Sequence, residues 1–254
     1  MSSKDWNESA IKRYAGSRTD SSILATGAVV HPTIACVMTR RSYGQFCGLA
    51  SALDTVGERW TLLIVRELMA GPKRYTDLAA SLLGIGTSLL AERVKQLESE
   101  EVITRRDLPP PAASTAYEPT GVGWELADAM VPLAIWGARR QLESQRTPDR
   151  RFQPEWSLTV FARLIATSEP RGRGVYDFTI DGESAHITHV GTSTAVTRVL
   201  APGGADAAVT GDSGTVAGLV AGRLAIADAL TTGSLAIDGT DTALHTLVAV
   251  LPRG

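Results

Sequence analysis

Residues 53–106 read LDTVGERWTLLIVRELMAGPKRYTDLAASLLGIGTSLLAERVKQLESEEVITRR, and this stretch decides the fold. Apolar residues recur at helical spacing in three segments, which predicts helices over residues 58–70, 76–83 and 87–99. Gly71 and Pro72 end the first helix, and residues 84–86 form a tight turn before the third. Two short helices joined by a glycine-containing turn are the helix-turn-helix pattern. A strand is predicted to follow directly over residues 102–106.

The third predicted helix has one apolar face, formed by Leu90, Val94 and Leu97. At about 100° per residue, the opposite face presents Ser88, Glu92, Lys95 and Ser99. A small, polar N-terminal half suits a helix that enters the major groove of DNA. The same periodicity also describes a surface helix of an ordinary helical domain, and a carboxylate on this face disfavours phosphate contact. From the periodicity alone, both interpretations stay open.

Several motifs in order along residues 43–140 carry a family resemblance. They include ERWTLLI at 58–64, RYTDL at 74–78, RVKQLE at 93–98 and PLAIWG at 132–137. This part of the chain resembles the HxlR-type winged helix-turn-helix regulators. The resemblance implies a mainly-α winged helix-turn-helix domain over residues 38–143 that binds double-stranded DNA as a homodimer. Pro119 departs from the family pattern and predicts a short second wing strand, because proline removes a ladder N–H.

The resemblance and the charge pattern together define a candidate DNA-binding surface. Its residues come from the turn before the second helix, from the third helix and from the end of the strand. They are Lys73, Arg74, Thr76, Thr87, Ser88, Glu92, Arg93, Lys95, Arg105 and Arg106. The two strand arginines are expected to reach phosphates or the minor groove, although they could also be merely solvated.

A long apolar helix over residues 124–141 is predicted to pack against a partner, because its apolar residues occupy more than one face. The resemblance implies that it pairs with the same helix of a second subunit, helped by a helix over residues 46–56. The predicted dimer contacts are Phe46, Leu49, Leu53, Met130, Leu133 and Trp136.

Cys47 is predicted to lie in the first turn of the helix over residues 46–56, where a helix N-terminus lowers a thiol pKa. Some HxlR-type proteins sense oxidants or electrophiles through a cysteine at this place. The resemblance extends that role to Cys47, and the alternative is a small packing residue without function. With only two cysteines in the chain, no disulfide framework is expected.

Composition places the chain among ordinary globular proteins: 44% of its 254 residues are hydrophobic, 20% are charged and the net charge is −2. No apolar run approaches the roughly 20 residues that span a bilayer, and no signal peptide is evident. We therefore expect a cytoplasmic protein without a membrane partner. Residues 1–37 lack an apolar period and are predicted to be a disordered leader, which leaves Met38 as an alternative start.

Residues 144–154 are charged, contain two prolines and are predicted to be a linker. The remainder, residues 155–254, carries 6 basic against 10 acidic residues, which makes it a poor DNA binder. Its pattern predicts a helix, two strands joined by a hairpin at Asp181-Gly182, a continuing meander and three more helices around one further strand. The order of these elements over residues 175–252 resembles the sterol-carrier-protein-2-like (SCP2-like) α+β fold.

Members of the SCP2-like family enclose an apolar tunnel, and the resemblance implies a hydrophobic ligand here. Candidate wall residues are Val216, Leu219, Val220, Leu224, Ile226, Leu230 and Leu244, which could equally be plain core. His186 and His189 fall on opposite faces of one strand and cannot form a two-histidine metal site, and His245 is expected to be a core histidine. Because no catalytic, metal or cofactor motif is visible, an enzyme that presents a lipid for chemistry is disfavoured.

The sequence therefore predicts a multidomain chain: a winged helix-turn-helix domain followed by an SCP2-like domain. The expected function is that of a dimeric repressor whose operator binding responds to a hydrophobic molecule. The alternative is a regulator that senses oxidants or electrophiles through Cys47 and has a structural C-terminal domain.

Overall fold

The structure, a computed structural model, describes residues 42–108, 114–141, 152–167, 173–191, 193–198 and 204–250. All of these belong to one compact unit of the chain. The leader predicted over residues 1–37 lies outside the described residues, as do the tip of the wing and nearly all of the predicted linker. Among the described helices, none is long and apolar enough to cross a membrane.

The first part of the described chain is mainly helical. Its elements are α1 (Gly48–Val56), α2 (Thr61–Met69), β1 (Lys73–Arg74), α3 (Tyr75–Ser81), α4 (Thr87–Ser99), β2 (Ile103–Asp107), β3 (Thr115–Pro119) and α5 (Gly121–Gln141). The helix predicted over residues 87–99 is confirmed at both ends. The helix predicted over residues 58–70 begins three residues late, because Trp60 adopts a left-handed backbone with φ of 80°.

The strands of this first part form a small antiparallel sheet in the order β1-β3-β2. The prediction that Pro119 shortens the second wing strand is wrong, because β3 includes Pro119 opposite Ile103. Strand β1 pairs only with Ala116 and Tyr117. At Pro119 the strand therefore has a neighbour on one side only, and a missing N–H is tolerated there.

The helix-turn-helix helices share one core with the base of the wing. It is built from apolar side chains of α2 and α3, from the predicted apolar face of α4 and from the start of β2. Its buried members are Ile64, Val65, Leu68, Leu78, Leu82, Leu90, Val94, Leu97, Val102 and Ile103. Burial of these side chains fixes the orientation of α4, so its opposite face must meet solvent or a partner.

The second part of the chain is an α+β layer structure. Its elements are α6 (Pro154–Ala166), β4 (Arg173–Ile180), β5 (Glu183–Val190), β6 (Ser193–Thr197), β7 (Ala207–Gly211), α7 (Ser213–Val220), α8 (Ile226–Thr231), β8 (Leu235–Gly239) and α9 (Asp241–Val250). The hairpin at Asp181-Gly182 is confirmed, with both residues at positive φ.

The five strands of this second part form one mixed sheet in the order β6-β5-β4-β7-β8. The predicted meander is correct as far as β6, but β7 does not continue it. It returns to the other side of β4 and pairs with it in parallel. Asp206 fixes this return, because its carboxylate accepts from the N–H of Val175 at 2.8 Å and its own N–H donates to the Val175 carbonyl at 2.7 Å.

Helix α6 packs on the sheet and also touches the first part of the chain. Its apolar side chains share a core with the sheet, and Ala70 and Val131 of the first part belong to the same core. Direct hydrogen bonds join the two parts. The N–H of Val196 donates to the carbonyl of Ala70 at 2.9 Å, and Arg139 donates to the carbonyl of Ala221 at 2.8 Å.

Candidate nucleic-acid interface

Helix α4 presents the polar face that the sequence predicts. Its predicted inner residues are buried, and Ser88, Glu92, Lys95 and Ser99 are exposed. Thr87 is exposed at the first turn, and its carbonyl accepts a hydrogen bond of 2.7 Å from the Tyr75 hydroxyl. This bond ties the starts of α3 and α4 together and so helps to hold α4 at a fixed angle to the rest of the motif.

Arg93 does not present a free cation, in contrast to the sequence-based prediction. Its side chain is only 11% exposed, and its guanidinium pairs with Glu58 and Glu92 at 3.2 Å each. It also donates to Gln96 at 2.8 Å. Periodicity places the residue beside the presented face, but a long side chain can turn back along the helix toward an acidic neighbour. Lys95, by contrast, is exposed.

The two wing arginines lie in β2 and remain largely exposed. Arg105 pairs with Glu98 at 2.9 Å, and Arg106 pairs with Glu118 at 2.9 Å. Exposed ion pairs of this kind contribute at most about 1 kcal/mol. A DNA phosphate can therefore replace either carboxylate at little cost.

The residues predicted at the turn before α3 divide into two groups. Thr76 is exposed, and Arg74 is half-buried with its backbone N–H donating to Asp77 at 3.0 Å. Lys73 is engaged by a carboxylate, because its ammonium lies 2.6 Å from Glu67. Of the turn residues, Thr76 is therefore the most accessible to DNA.

Glu67 is the centre of a buried polar cluster that sequence reasoning missed. Its carboxylate is 1% exposed and accepts from Arg66 at 2.6 Å, Lys73 at 2.6 Å and the Trp156 indole at 2.8 Å. Burial alone would raise the pKa of Glu67, but hydrogen bonds and charge from Lys73, and then from Arg66, outweigh it and lower the pKa. The carboxylate is therefore ionised at neutral pH.

A second polar contact also joins the two parts of the chain. Arg163 of α6 donates through Nε at 2.9 Å and Nη2 at 2.5 Å to one oxygen of Asp128 in α5, and its guanidinium lies 4.8 Å from the Trp124 ring centroid. Local sequence patterns do not indicate the Glu67–Trp156 and Asp128–Arg163 contacts, because these residues are 89 and 35 positions apart.

The predicted dimer contacts are mostly exposed in the single chain. Large apolar side chains in α1, just before it and in α5 are exposed to solvent. Trp136 is 59% exposed, and the others are Phe46, Leu49, Leu53 and Leu133. Met130 is half-buried.

Cys47 is exposed and directly precedes α1 as its N-cap residue, because the helix begins at Gly48, two residues later than predicted. The backbone N–H groups of Ala50 and then Leu49 lower the pKa of this thiol, with a small opposing effect of burial. The sulfur makes no capping hydrogen bond with α1, so the pKa is lowered by the proximity of these N–H groups. A thiolate is the reactive form of cysteine.

The predicted ligand residues of the second part differ in burial. Val216, Leu219 and Val220 are buried in α7. Outside that helix, Leu224, Ile226 and Leu244 are half-buried, and Leu230 is 44% exposed.

The histidine predictions have mixed outcomes. The prediction that His245 is a core residue is wrong, because it lies on the exposed face of α9. His186 and His189 are both buried and have separate partners, Asp177 and Tyr176. Within the described residues, no group of three or more His, Cys, Asp or Glu side chains could hold a metal ion.

An exposed polar helix beside an antiparallel wing defines a winged helix-turn-helix protein. Residues 55–145 match the family model for the HxlR-like helix-turn-helix. The HTH-type transcriptional regulator YodB of Bacillus subtilis is 34% identical over 88 residues, which are 35% of this chain and 79% of YodB. An uncharacterized HTH-type transcriptional regulator of the same organism, YvaP, is 33% identical over 85 residues, 34% of this chain and 79% of YvaP.

Solved structures of YodB match as well. The reduced form is 32% identical and covers 37% of this chain and 94% of that chain, with a TM-score of 0.34. Quinone-bound and diamide-treated forms have TM-scores of 0.32. On the sequence matches, the chain belongs to the HxlR-like helix-turn-helix family, and it is a DNA-binding transcriptional regulator. The part beyond residue 145 lies outside the family match.

Proposed function

We propose that this regulator is a dimeric repressor that leaves its operator when a hydrophobic small molecule binds to its C-terminal domain. The observation that carries the DNA-binding role is the exposed polar face of α4, whose opposite face fills the core. Thr87, Ser88 and Lys95 supply hydrogen-bonding and cationic groups for base edges and phosphates. Exposed Arg105 and Arg106 add cationic groups on the wing.

Dimerisation is proposed from the apolar surface of α1 and α5. Large exposed apolar side chains that lie together are typical of interaction sites, and Leu133 and Trp136 lie a single turn apart on α5. A two-fold dimer would place two α4 helices in successive major grooves, with half-sites about one helical turn apart or a multiple of it. Any change in the angle between subunits would then change operator affinity.

The C-terminal domain is proposed to be the sensor, with an SCP2-like fold. Its helix α7 reads SGTVAGLV, and small residues of this kind can leave space beside apolar walls. Its first helix, α6, contacts the winged helix-turn-helix part through Trp156 and Arg163. A ligand that binds two arrangements of this contact unequally would shift the dimer between them. The domain is proposed to sense and not to catalyse.

DNA binding is tested by a charge reversal on the presented face of α4. Ser88→Glu should weaken the binding of labelled promoter DNA at least tenfold in fluorescence anisotropy, because a carboxylate there repels phosphate. Ser193→Glu adds the same charge on exposed β6 and should change affinity less than twofold. Equal affinities for the two variants would remove α4 from the interface, whatever the C-terminal domain binds.

A second function is favoured by Cys47: redox or electrophile sensing with a structural C-terminal domain. The thiol is exposed and its pKa is lowered. YodB, a relative of this chain, has been solved in reduced, quinone-bound and diamide-treated forms. The quinone-bound and diamide-treated forms of this relative support thiol chemistry as the alternative to ligand binding, and the two functions respond to different reagents.

A further inference from the structure

A cavity of about 250 Å³ lies where α2 and α5 of the winged helix-turn-helix part meet α6 of the C-terminal part. We refer to it as the interhelix cavity. Its walls are mostly aliphatic and methionine side chains, including Met130 and Ala134, with Arg66, Trp156 and Thr159 as the remaining groups. Both parts of the chain contribute walls, so the cavity is incomplete without either.

Arg66 places a guanidinium in the wall of this apolar cavity, on a side chain that is 20% exposed. Its Nη2 is committed to Glu67 at 2.6 Å, and its guanidinium lies 4.2 Å from the centroid of the Trp156 ring. Its Nε–H is buried and has no acceptor among the described residues. Buried polar groups in folded proteins are nearly always paired, whereas the neighbours of Arg66 leave its guanidinium only partly hydrogen-bonded. Mostly apolar walls with few polar groups are typical of small-molecule sites.

We propose that the interhelix cavity binds a compact one- or two-ring molecule that carries one hydrogen-bond-accepting group, a carbonyl or a carboxylate. Its size sets the class of ligand, because an apolar cavity of about 150 Å³ takes up benzene and larger ligands occupy pockets of about 300–1,000 Å³. The ring would contact the aliphatic walls and the Trp156 indole, and an oxygen of the accepting group would accept from the Arg66 guanidinium. This inference rests on the proposed function and places its ligand against α6 of the C-terminal domain, at the boundary between the two parts.

Hydrogen bonds and an ion pair connect the interhelix cavity to the wing sheet. Trp156 forms part of its wall and also donates to Glu67, and the same carboxylate holds Lys73 of β1. Strand β1 pairs with β3 of the wing sheet. A ligand that moves the indole or the guanidinium therefore alters the hydrogen bonds at the base of the wing.

The test uses the full chain, with 2-naphthoate as the probe in isothermal titration calorimetry. Ala134→Phe places a ring in the wall of the interhelix cavity, at its solvent-exposed side, and Ala129→Phe places the same ring on the same helix at an exposed position outside the wall. Binding should weaken at least tenfold in the first variant and less than twofold in the second. Arg66→Met, which removes the donor, should also weaken naphthoate binding about tenfold.

Three results would overturn the inference. These are no heat from wild-type protein at millimolar probe, equal binding by both phenylalanine variants, or binding that appears only when Trp136→Asp separates subunits. The last result would mean that a partner subunit fills the cavity in the wild-type protein. Failure of the proposed function gives a different result. In that case naphthoate binds wild-type protein and not Ala134→Phe, but the probe leaves the affinity of wild-type protein for promoter DNA unchanged.

Discussion

The indole N–H of Trp156 donates a hydrogen bond of 2.8 Å to the buried carboxylate of Glu67, and this bond joins the C-terminal part to the winged helix-turn-helix part. Two cations, Arg66 and Lys73, hold the same carboxylate. A buried carboxylate is tolerated because every partner donates to it. The contact between the two parts therefore consists of ion pairs and a hydrogen bond that all involve the Glu67 carboxylate.

Replacing Glu67 by Ala should destabilise the protein by about 3 kcal/mol, because breaking a buried pair leaves charges and an N–H unpaired. Urea unfolding followed by circular dichroism measures the change in free energy of unfolding. Glu98→Ala is the matched control, since its partially exposed pair with Arg105 should contribute less than about 1 kcal/mol. Similar losses of unfolding free energy in both variants would show that the Glu67 cluster does not stabilise the protein more than an exposed ion pair does.

The stabilisation by Glu67 should depend on pH. Because the folded-state pKa is lowered, the contribution is fully present above the unfolded pKa of about 4.3. It is lost as the pH falls through the folded pKa. Glu67→Gln should therefore differ most from wild type at pH 7, and the difference should shrink below about pH 4. Melting temperatures from pH 7 to pH 3 measure this, and a constant difference across that range would contradict it.

Local pattern was sufficient for the order of the three helix-turn-helix helices, although α2 begins three residues later than predicted and β1 was not predicted. Helix α4 was predicted at both ends because Gly86 breaks the chain before it and its apolar period is regular. The positions of Ser88 and Lys95 on its exposed face followed from the same period. These features depend on neighbours within a few residues, which a sequence displays directly.

Long-range pairing was not predictable from the same patterns. Alternation indicated β7 as a strand, but its parallel pairing with β4 depends on a crossover that alternation does not encode. The Glu67–Trp156 bond joins residues 89 apart. Arg93 was placed outward by period, yet its guanidinium turns to Glu58, 35 residues away. The candidate site was thus predicted at the level of the helix face and not at the level of individual ion pairs.

Lys95 and Arg93 should behave differently in DNA binding. Lys95→Ala should reduce the slope of log affinity against log salt by about one unit if it contacts a phosphate. Arg93→Ala should leave the slope nearly unchanged and lower the melting temperature instead, because its guanidinium is held by Glu58, Glu92 and Gln96. Anisotropy titrations at several salt concentrations measure both slopes. An equal loss of slope in the two variants would show that Arg93 leaves its carboxylates to bind DNA.

If the protein is the proposed dimer, Trp136→Asp should convert it to a monomer, because a carboxylate buried without a partner in an apolar interface is costly. Sedimentation velocity measures the oligomeric state. Val190→Asp is the control, because it removes an apolar side chain that is 58% exposed on β5 and should leave the dimer intact. A monomeric wild-type protein, or dissociation by both variants, would reject α5 as the dimer interface.

The two cysteines allow the thiol-sensing function to be separated from ligand sensing. Diamide takes two electrons and two protons from a pair of thiols and leaves a disulfide, and a quinone adds a thiolate to its ring. Both reactions need the thiolate, and the lowered pKa of Cys47 raises its fraction at neutral pH. If this thiol is the sensor, either reagent should release wild-type protein and Cys36→Ser from promoter DNA and leave Cys47→Ser bound. Anisotropy with and without reductant measures the release, and non-reducing gels identify any disulfide between subunits. Release of all three proteins alike would exclude Cys47 as the sensor and leave the ligand mechanism as the remaining route.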